Sequence, residues 1–214
     1  MNNYLPWAML AGAYLIGSIP FGLLIGKCYG VDIRKVGSCN IGATNVTRTV
    51  GKWQGKLCFF LDFLKGALPT ALSVCFLYPD NPWMALGMGG MTILGHMFPI
   101  YLKFKGGKGI STTAGAALVL APYPLIVALV CWVTVFKLSR FVSLASIFAS
   151  AMLPVIALLF GRIGFGNKIS LSWQIQLFLI LVGIVAVARH HANIKRLLAG
   201  TENRFEKKTP EADK

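Results

Sequence analysis

The sequence predicts an all-α fold, a polytopic bundle of about seven transmembrane helices. Three observations lead there. Of 214 residues, 56% are hydrophobic and 13% charged, against about 25% charged in a soluble domain. Several apolar runs are long enough to cross a hydrocarbon layer of about 30 Å. Basic residues are also divided very unevenly among the segments that join those runs. The apolar content excludes disorder, and runs of this length exclude an all-β membrane barrel. A single integral membrane domain is expected over residues 1–214, with 203–214 as a flexible cytoplasmic tail.

The first run covers about Tyr4–Ile25. No Lys or Arg precedes it and no small-residue cleavage site follows, so a retained helix is expected rather than a signal peptide. Within it, Ser18, Gly22 and Gly26 are spaced four apart, which allows close backbone approach in a bundle. Further runs follow at about Leu57–Tyr78, Met84–Leu102, Ile110–Phe136, Phe141–Phe160 and Ser172–Ala188. Pro79-Asp80-Asn81-Pro82, Lys103–Lys108, Lys137–Arg140 and Arg162–Ser170 punctuate them. The fourth run holds Pro122 and Pro124 near its middle. It is either one long kinked span or two helices meeting at Ala121–Pro124. Two halves of about 13 residues would each reach about 20 Å, which also suits a re-entrant hairpin.

The charge distribution favours the split. The net charge is +14. If the fourth run returns to the side it left, 18 of the 21 Lys and Arg residues fall on one side, with Arg162 and Lys168 opposite and Lys65 inside a span. A single crossing would divide them 11 against 9. The positive-inside rule therefore predicts an outside N-terminus and a cytoplasmic C-terminus. Asp62 and Lys65, three apart in the second long run, should pair and face the bundle, because unpaired intramembrane charge is costly. Cys28, Cys39, Cys58, Cys75 and Cys131 lack CxxC spacing and read as free thiols. No HExxH motif or carboxylate cluster suggests a metal.

Three polar segments lie on the basic side. Gly37–Arg48 (GSCNIGATNVTR) combines glycines, short donors and one guanidinium, as an anion-wrapping loop requires; a flexible polar loop has the same composition. Phe104–Gly109 (FKGGKG) runs into Ile110-Ser111-Thr112-Thr113. Gly106, Gly107 and Lys108 before a helix start suit a phosphate cradle, although a basic turn against lipid headgroups is the alternative. Arg189–Arg196 (RHHANIKR) places His190 and Asn193 on one helix face. Together the segments imply a phosphate-bearing ligand at the inner leaflet, with the bundle accommodating something apolar. His96, near the inner end of a span, reads as a packing residue.

The same segments resemble the signature motifs of the bacterial acyl-phosphate:glycerol-3-phosphate acyltransferases. The resemblance also takes in GSIPFGLLIGK (17–27), LDFLKG (61–66), GHMFP (95–99), FVSLASI (141–147) and RHHANIKRLLAGTE (189–202), in matching order. One position departs: Cys39 stands where the family usually has glycine, which would strain the loop if that residue needs a positive φ. The resemblance implies a multi-pass enzyme of the bacterial inner membrane with its active site at the cytoplasmic face. It implies acyl transfer from acyl phosphate, rather than from acyl-CoA or acyl carrier protein, to the 1-hydroxyl of sn-glycerol 3-phosphate. The products would be lysophosphatidate and phosphate, in phospholipid synthesis. By the motifs, Ser38, Arg48, Lys108, His190 and Asn193 are the implied catalytic residues. Asn40, Asn45, Thr112, Ser143 and Ser146 join Gly106 and Gly107 as implied substrate contacts. Asp62, Lys65 and Glu202 are implied to be structural.

No cofactor, nucleic acid or obligatory protein partner is expected, only the two substrates and membrane lipid. Acyl phosphate is already activated, so no Ser–His–Asp constellation is needed, and none is apparent. The expectation is direct attack by the glycerol hydroxyl, with Lys108 and Arg48 offsetting charge and the substrate phosphate or His190 accepting the proton. A transporter or channel for a phosphorylated metabolite is the competing class, though it would favour internal repeats and midplane sites.

Overall fold

The structure, a computed structural model, describes residues 4–163 and 171–205. Among them are ten α-helices and no strand: α1 Leu5–Ser18, α2 Phe21–Cys28, α3 Ala43–Thr49, α4 Lys52–Leu72, α5 Pro82–Met97, α6 Ile110–Leu120, α7 Pro122–Ser139, α8 Val142–Ile163, α9 Trp173–Ala188 and α10 His191–Leu198. A π turn, Ser73–Leu77, extends α4, and a 3₁₀ turn, Ile100–Leu102, follows α5. Among the described residues, five spans are long and apolar enough to cross a membrane: Leu5–Cys28, Lys52–Leu77, Pro82–Leu102, Pro122–Ser139 and Val142–Arg162. Helices α9 and α10 form a further pair, bent by 51°. Large apolar side chains such as Phe60, Leu68, Val130, Leu181 and Ile184 are exposed around the outside, as expected where lipid rather than water is the solvent.

Proline sets several of the boundaries. Pro20 has no N–H to continue α1, so the first apolar run is two helices rather than one. At α5, Asn81 caps the helix by accepting from the amides of Trp83 at 3.1 Å and Met84 at 3.3 Å, and Pro82 follows in the first turn. The fourth run is broken at Ala121, which leaves the helical conformation (φ −153°, ψ 65°), with Pro122 opening α7. Its parts are unequal, 11 and 18 residues rather than two of about 13. At about 1.5 Å per residue α6 is too short to cross, while α7 nearly spans the hydrocarbon layer.

Both ends of this broken run lie at the same end of the bundle. Arg189 bonds the Gly106–Gly107 loop before α6, and Arg204 bonds the Ser139 carbonyl at the end of α7. Arg48 bonds the Asn203 carbonyl there as well. The basic segments that the sequence places together are thus brought together. Of the expected tail 203–214, Asn203, Arg204 and Phe205 make contacts with the bundle; residues 206–214 lie outside the described residues, as do Lys168 and most of the Arg162–Ser170 connection.

Glycines permit the closest crossings. A Cβ on Gly66 would meet the Thr112 carbonyl, and one on Gly115 the Phe63 carbonyl, so α4 and α6 touch through backbone. Gly17 and Gly95 do the same for α1 and α5. Gly22 and Gly26 also meet backbone, but their partner is the loop that follows, through the carbonyls of Ile41 and Val31, rather than another spanning helix. Around that contact Leu23, Ile33, Ile41, Val46 and Cys58 form a buried apolar cluster that seats the Gly37–Arg48 segment.

Candidate active site

The site starts from the loop before α3. Asn45 is 1% exposed and organises it: its Oδ1 accepts from the Ser38 amide at 2.8 Å, and its Nδ2 reaches the carbonyls of Ile33, Asn40 and Val36 at 2.8, 2.9 and 3.2 Å. The amide group is therefore spent on holding the loop. Asn40 Oδ1 in turn accepts from the Gly42 amide at 2.9 Å. This folding turns Ser38 inward and sets Arg48, one turn after Asn45 on α3, beside it.

The FKGGKG loop is fixed from below and from the side. The Gly107 amide donates to the His96 carbonyl at 3.0 Å. The Arg189 guanidinium donates to the carbonyls of Gly107 at 2.9 Å, Gly106 at 3.2 Å and Met97 at 3.2 Å, and lies 5.0 Å over the Phe98 ring. A Cβ on Gly107 would run into the His96 ring, and one on Gly106 into the His96 carbonyl and Pro99. These two glycines serve close packing and do not line the cavity, whereas the next residue, Lys108, does. Gly109, Ile110, Ser111 and Thr113 continue the lining into the first turn of α6, where helix amides lack intrahelical partners and favour an anion.

The third wall comes from the kink between α9 and α10. His190 is 2% exposed, and its Nδ1 lies 2.7 Å from the Ala186 carbonyl. A carbonyl only accepts, so Nδ1 carries the proton and Nε2 keeps a lone pair. Burial, reinforced by the Lys108 charge, pushes the imidazole pKa down to about 4, so the ring is neutral at pH 7. Asn193 donates through Nδ2 to Glu202 Oε1 at 2.7 Å, and Arg196 Nε donates to Glu202 Oε2 at 2.7 Å. Asn193 Oδ1 is buried without a partner.

These walls enclose a cavity of about 400 Å³. Its polar end is lined by Ser38, Asn40, Arg48, Lys108, His190 and Asn193, with Glu202 behind. Its other end is a slot between α6, α7, α8 and α9, lined by Ala117, Leu125, Ala128, Leu129, Leu153 and Val182. Ser143 and Ser146 lie along α8 in the wall, and Ser146 accepts from the Trp132 indole at 3.0 Å. Burial pushes the Lys108 ammonium down to about 8, with Glu202 working against that and Arg196, Arg48 and Arg189 adding to it. Burial likewise lowers Arg48, which still stays charged at any neutral pH. Around Lys108 one carboxylate, Glu202, acts among three guanidinium groups, which leaves that part of the cavity attractive to an anion.

The remaining predicted residues divide. Asp62 lines the cavity while Lys65 and Thr112 do not. Lys65 Nζ lies 2.8 Å from Asp62 Oδ1, both side chains being 2% exposed, so the expected pair forms inside the bundle. His96 Nδ1 approaches the same oxygen at 3.5 Å, and His96 lines the cavity. Thr112 packs its backbone on Gly66. Sequence reasoning missed Arg189, Trp132, Ser111 and Thr113 as parts of the site. Arg189 looked like one more basic residue at a membrane face; the other three could have been found from helix phase once α6 and α7 were known to be separate.

Fold and cavity define an integral membrane protein with a cavity that is cationic at one end and apolar at the other. A family model described as "Glycerol-3-phosphate acyltransferase" matches residues 7–200, and the chain belongs to that family of membrane acyltransferases. The glycerol-3-phosphate acyltransferase of Trichlorobacter lovleyi is 43% identical over 198 residues, covering 92% of this chain and 95% of its own. That of Aquifex aeolicus is 44% identical over 193 residues, covering 90% and 95%. Among solved structures, PlsY (YgiH), described as an integral membrane glycerol 3-phosphate acyltransferase in its glycerol 3-phosphate form, aligns with a TM-score of 0.82 at 41% identity, covering 94% of this chain and 96% of that one. A second PlsY structure, described as the lysophosphatidic acid form, aligns with a TM-score of 0.80 at 39% identity, covering 94% and 95%.

Proposed function

We propose that this chain transfers a fatty acyl group from acyl phosphate to the 1-hydroxyl of sn-glycerol 3-phosphate, releasing 1-acyl-sn-glycerol 3-phosphate and phosphate. The carrying observation is the joined polar and apolar cavity: Arg48, Lys108, Ser38 and Asn193 in its polar part, and Leu153 and Val182 among the lining of its apolar part. A product with a phosphate head and an acyl tail fits that division. Family membership sets aside the transporter alternative.

The chemistry needs orientation and charge stabilisation more than a protein nucleophile. The glycerol oxygen attacks the acyl carbon, an ester C–O bond forms, and the C–O bond to phosphate breaks. The hydroxyl proton passes to the departing phosphate. The neutral His190 Nε2 accepts from the neighbouring hydroxyl of the glycerol and so orients the attacking one. Arg48 and Lys108 offset charge on the two phosphates, and holding both reactants in one cavity supplies much of the acceleration. The cationic lining of the cavity lies at the basic end of the bundle, and the positive-inside rule supports assigning that end to the cytoplasmic face of the inner membrane. Asn40, Ser143 and Ser146 are proposed contacts, Asn45, Gly106, Gly107 and Thr112 act through loop and helix geometry, and Asp62, Lys65 and Glu202 hold the walls.

The donor is the test. Purified protein in lipid with labelled glycerol 3-phosphate should give lysophosphatidate from palmitoyl phosphate and none from palmitoyl-CoA. Product from palmitoyl-CoA alone would overturn the proposed donor.

A further inference from the structure

The segment after α10 leaves the family match, which ends at residue 200, and crosses the site. Its backbone is anchored: the Phe205 amide donates to the Arg140 carbonyl at 3.0 Å, and Arg204 Nε donates to the Ser139 carbonyl at 3.1 Å. From there it meets the Arg48 guanidinium twice. Arg48 Nη2 donates to the Asn203 carbonyl at 3.0 Å, and the guanidinium carbon sits 4.9 Å over the Phe205 ring centre. The two partners are 155 residues from Arg48 or more.

The Phe205 ring is itself supported. It meets Phe136 of α7 edge-on at 6.0 Å, and Phe136 stacks on Trp132 at 5.1 Å. Trp132 lines the slot and bonds Ser146 across it. One aromatic run thus joins the anion-binding arginine to the wall of the apolar slot.

We infer that Phe205 is a positioning residue: the strap Glu202–Phe205 fixes the plane of the Arg48 guanidinium, through the Phe205 ring and the Asn203 carbonyl, and so tunes recognition of the substrate phosphate. The inference rests on the proposed role of Arg48. An arginine on a long flexible stem loses rotamer entropy when it binds an anion. A ring over one face and a carbonyl on one N–H remove most of that cost beforehand and leave the other N–H groups for phosphate. Asn203 contributes backbone only, so the ring is the part that side-chain substitution can test.

The experiment compares Phe205→Leu with Phe205→Tyr in the full chain, measuring steady-state kinetics, calorimetric binding of glycerol 3-phosphate and melting in detergent. Leucine keeps apolar bulk and loses the π face; tyrosine keeps both. Phe205→Leu is expected to raise KM and Kd for glycerol 3-phosphate about three- to tenfold at near-normal kcat and melting temperature, with Phe205→Tyr close to wild type. In an Arg48→Lys background Phe205→Leu should add little further loss. Phe205→Met gives the same comparison should the leucine variant not fold. Unchanged KM in Phe205→Leu, or equal impairment in the leucine and tyrosine variants, overturns the inference while wild-type turnover leaves the proposed reaction standing. A folded wild-type protein that makes no product overturns the reaction itself.

Discussion

Arg189 Nη2 lies 2.9 Å from the Gly107 carbonyl, joining the end of α9 to the loop that presents Lys108. The same nitrogen reaches Gly106 and Met97 at 3.2 Å, so one guanidinium gathers three carbonyls that no backbone amide serves at that point. A lysine carries the charge without the planar fork. Arg189→Lys is therefore expected to lower kcat/KM at least tenfold with the fold intact, as read by activity and melting in detergent. Activity close to wild type would mean that the loop keeps its form by other means.

The Asp62–Lys65 pair gives a stability prediction. Lys65 also donates to the Ile19 carbonyl at 2.9 Å, at the break before Pro20, where the Phe21 amide reaches the same oxygen at 3.1 Å. Lys65→Met strands a buried carboxylate and should cost about 3–5 kcal/mol. Asp62→Asn combined with Lys65→Met should recover a large part of that loss. Thermal unfolding of the three proteins in one detergent checks the order.

Lys108 predicts an alkaline limb. With its pKa near 8 in the free site, the ammonium that attracts phosphate is lost as pH rises past that value. kcat/KM for glycerol 3-phosphate should then fall, by about tenfold per pH unit well above the pKa. The stability sign is opposite. An unfolded lysine titrates near 10.4, so between about 8 and that value the folded chain binds fewer protons than the unfolded one, and this group's contribution to stability rises with pH. At neutral pH the buried charge thus costs stability. Lys108→Met should lose activity yet melt no lower than wild type. A kcat/KM profile flat to pH 10 would contradict the lysine's assigned place.

Cys39 adopts φ 55°, the left-handed region that favours glycine. The position where the resemblance leads one to expect glycine therefore has a backbone conformation that glycine adopts readily. Cys39→Gly relieves about 1 kcal/mol of local strain but frees the unfolded chain by a similar amount, so melting and activity should stay near wild type. Cys39→Val, β-branched, should lower both. Equal behaviour of the two variants would show that the loop tolerates any side chain there.

Much of this was legible in the sequence, for physical reasons. Apolar runs must be long to cross lipid, so the helical bundle shows in composition. Pro122 removes an amide, so the fourth run's break shows too, though its unequal division depends on how α6 packs between α4 and α7. Intramembrane charge must pair, which foretold Asp62 with Lys65. The first run hid its break because no charged residue interrupts Tyr4–Gly26 around Pro20. Gly106 and Gly107 read as an anion cradle, since sequence does not distinguish a glycine facing a ligand from one facing the His96 ring. Arg189 and Phe205 were invisible as site residues for the same reason: their partners are distant in the chain, and a basic juxtamembrane end or a polar tail gives no sign of what it folds against.

The most direct test follows both products with purified protein in lipid, given palmitoyl phosphate and labelled glycerol 3-phosphate, for wild type, Arg48→Met and Lys108→Met. The cavity's division into a cationic mouth and an apolar slot predicts equimolar lysophosphatidate and phosphate from the wild type. It predicts at least a hundredfold loss of kcat/KM in each variant at unchanged melting temperature. Variants with near wild-type turnover, or a folded wild type that yields phosphate without lysophosphatidate, would contradict it.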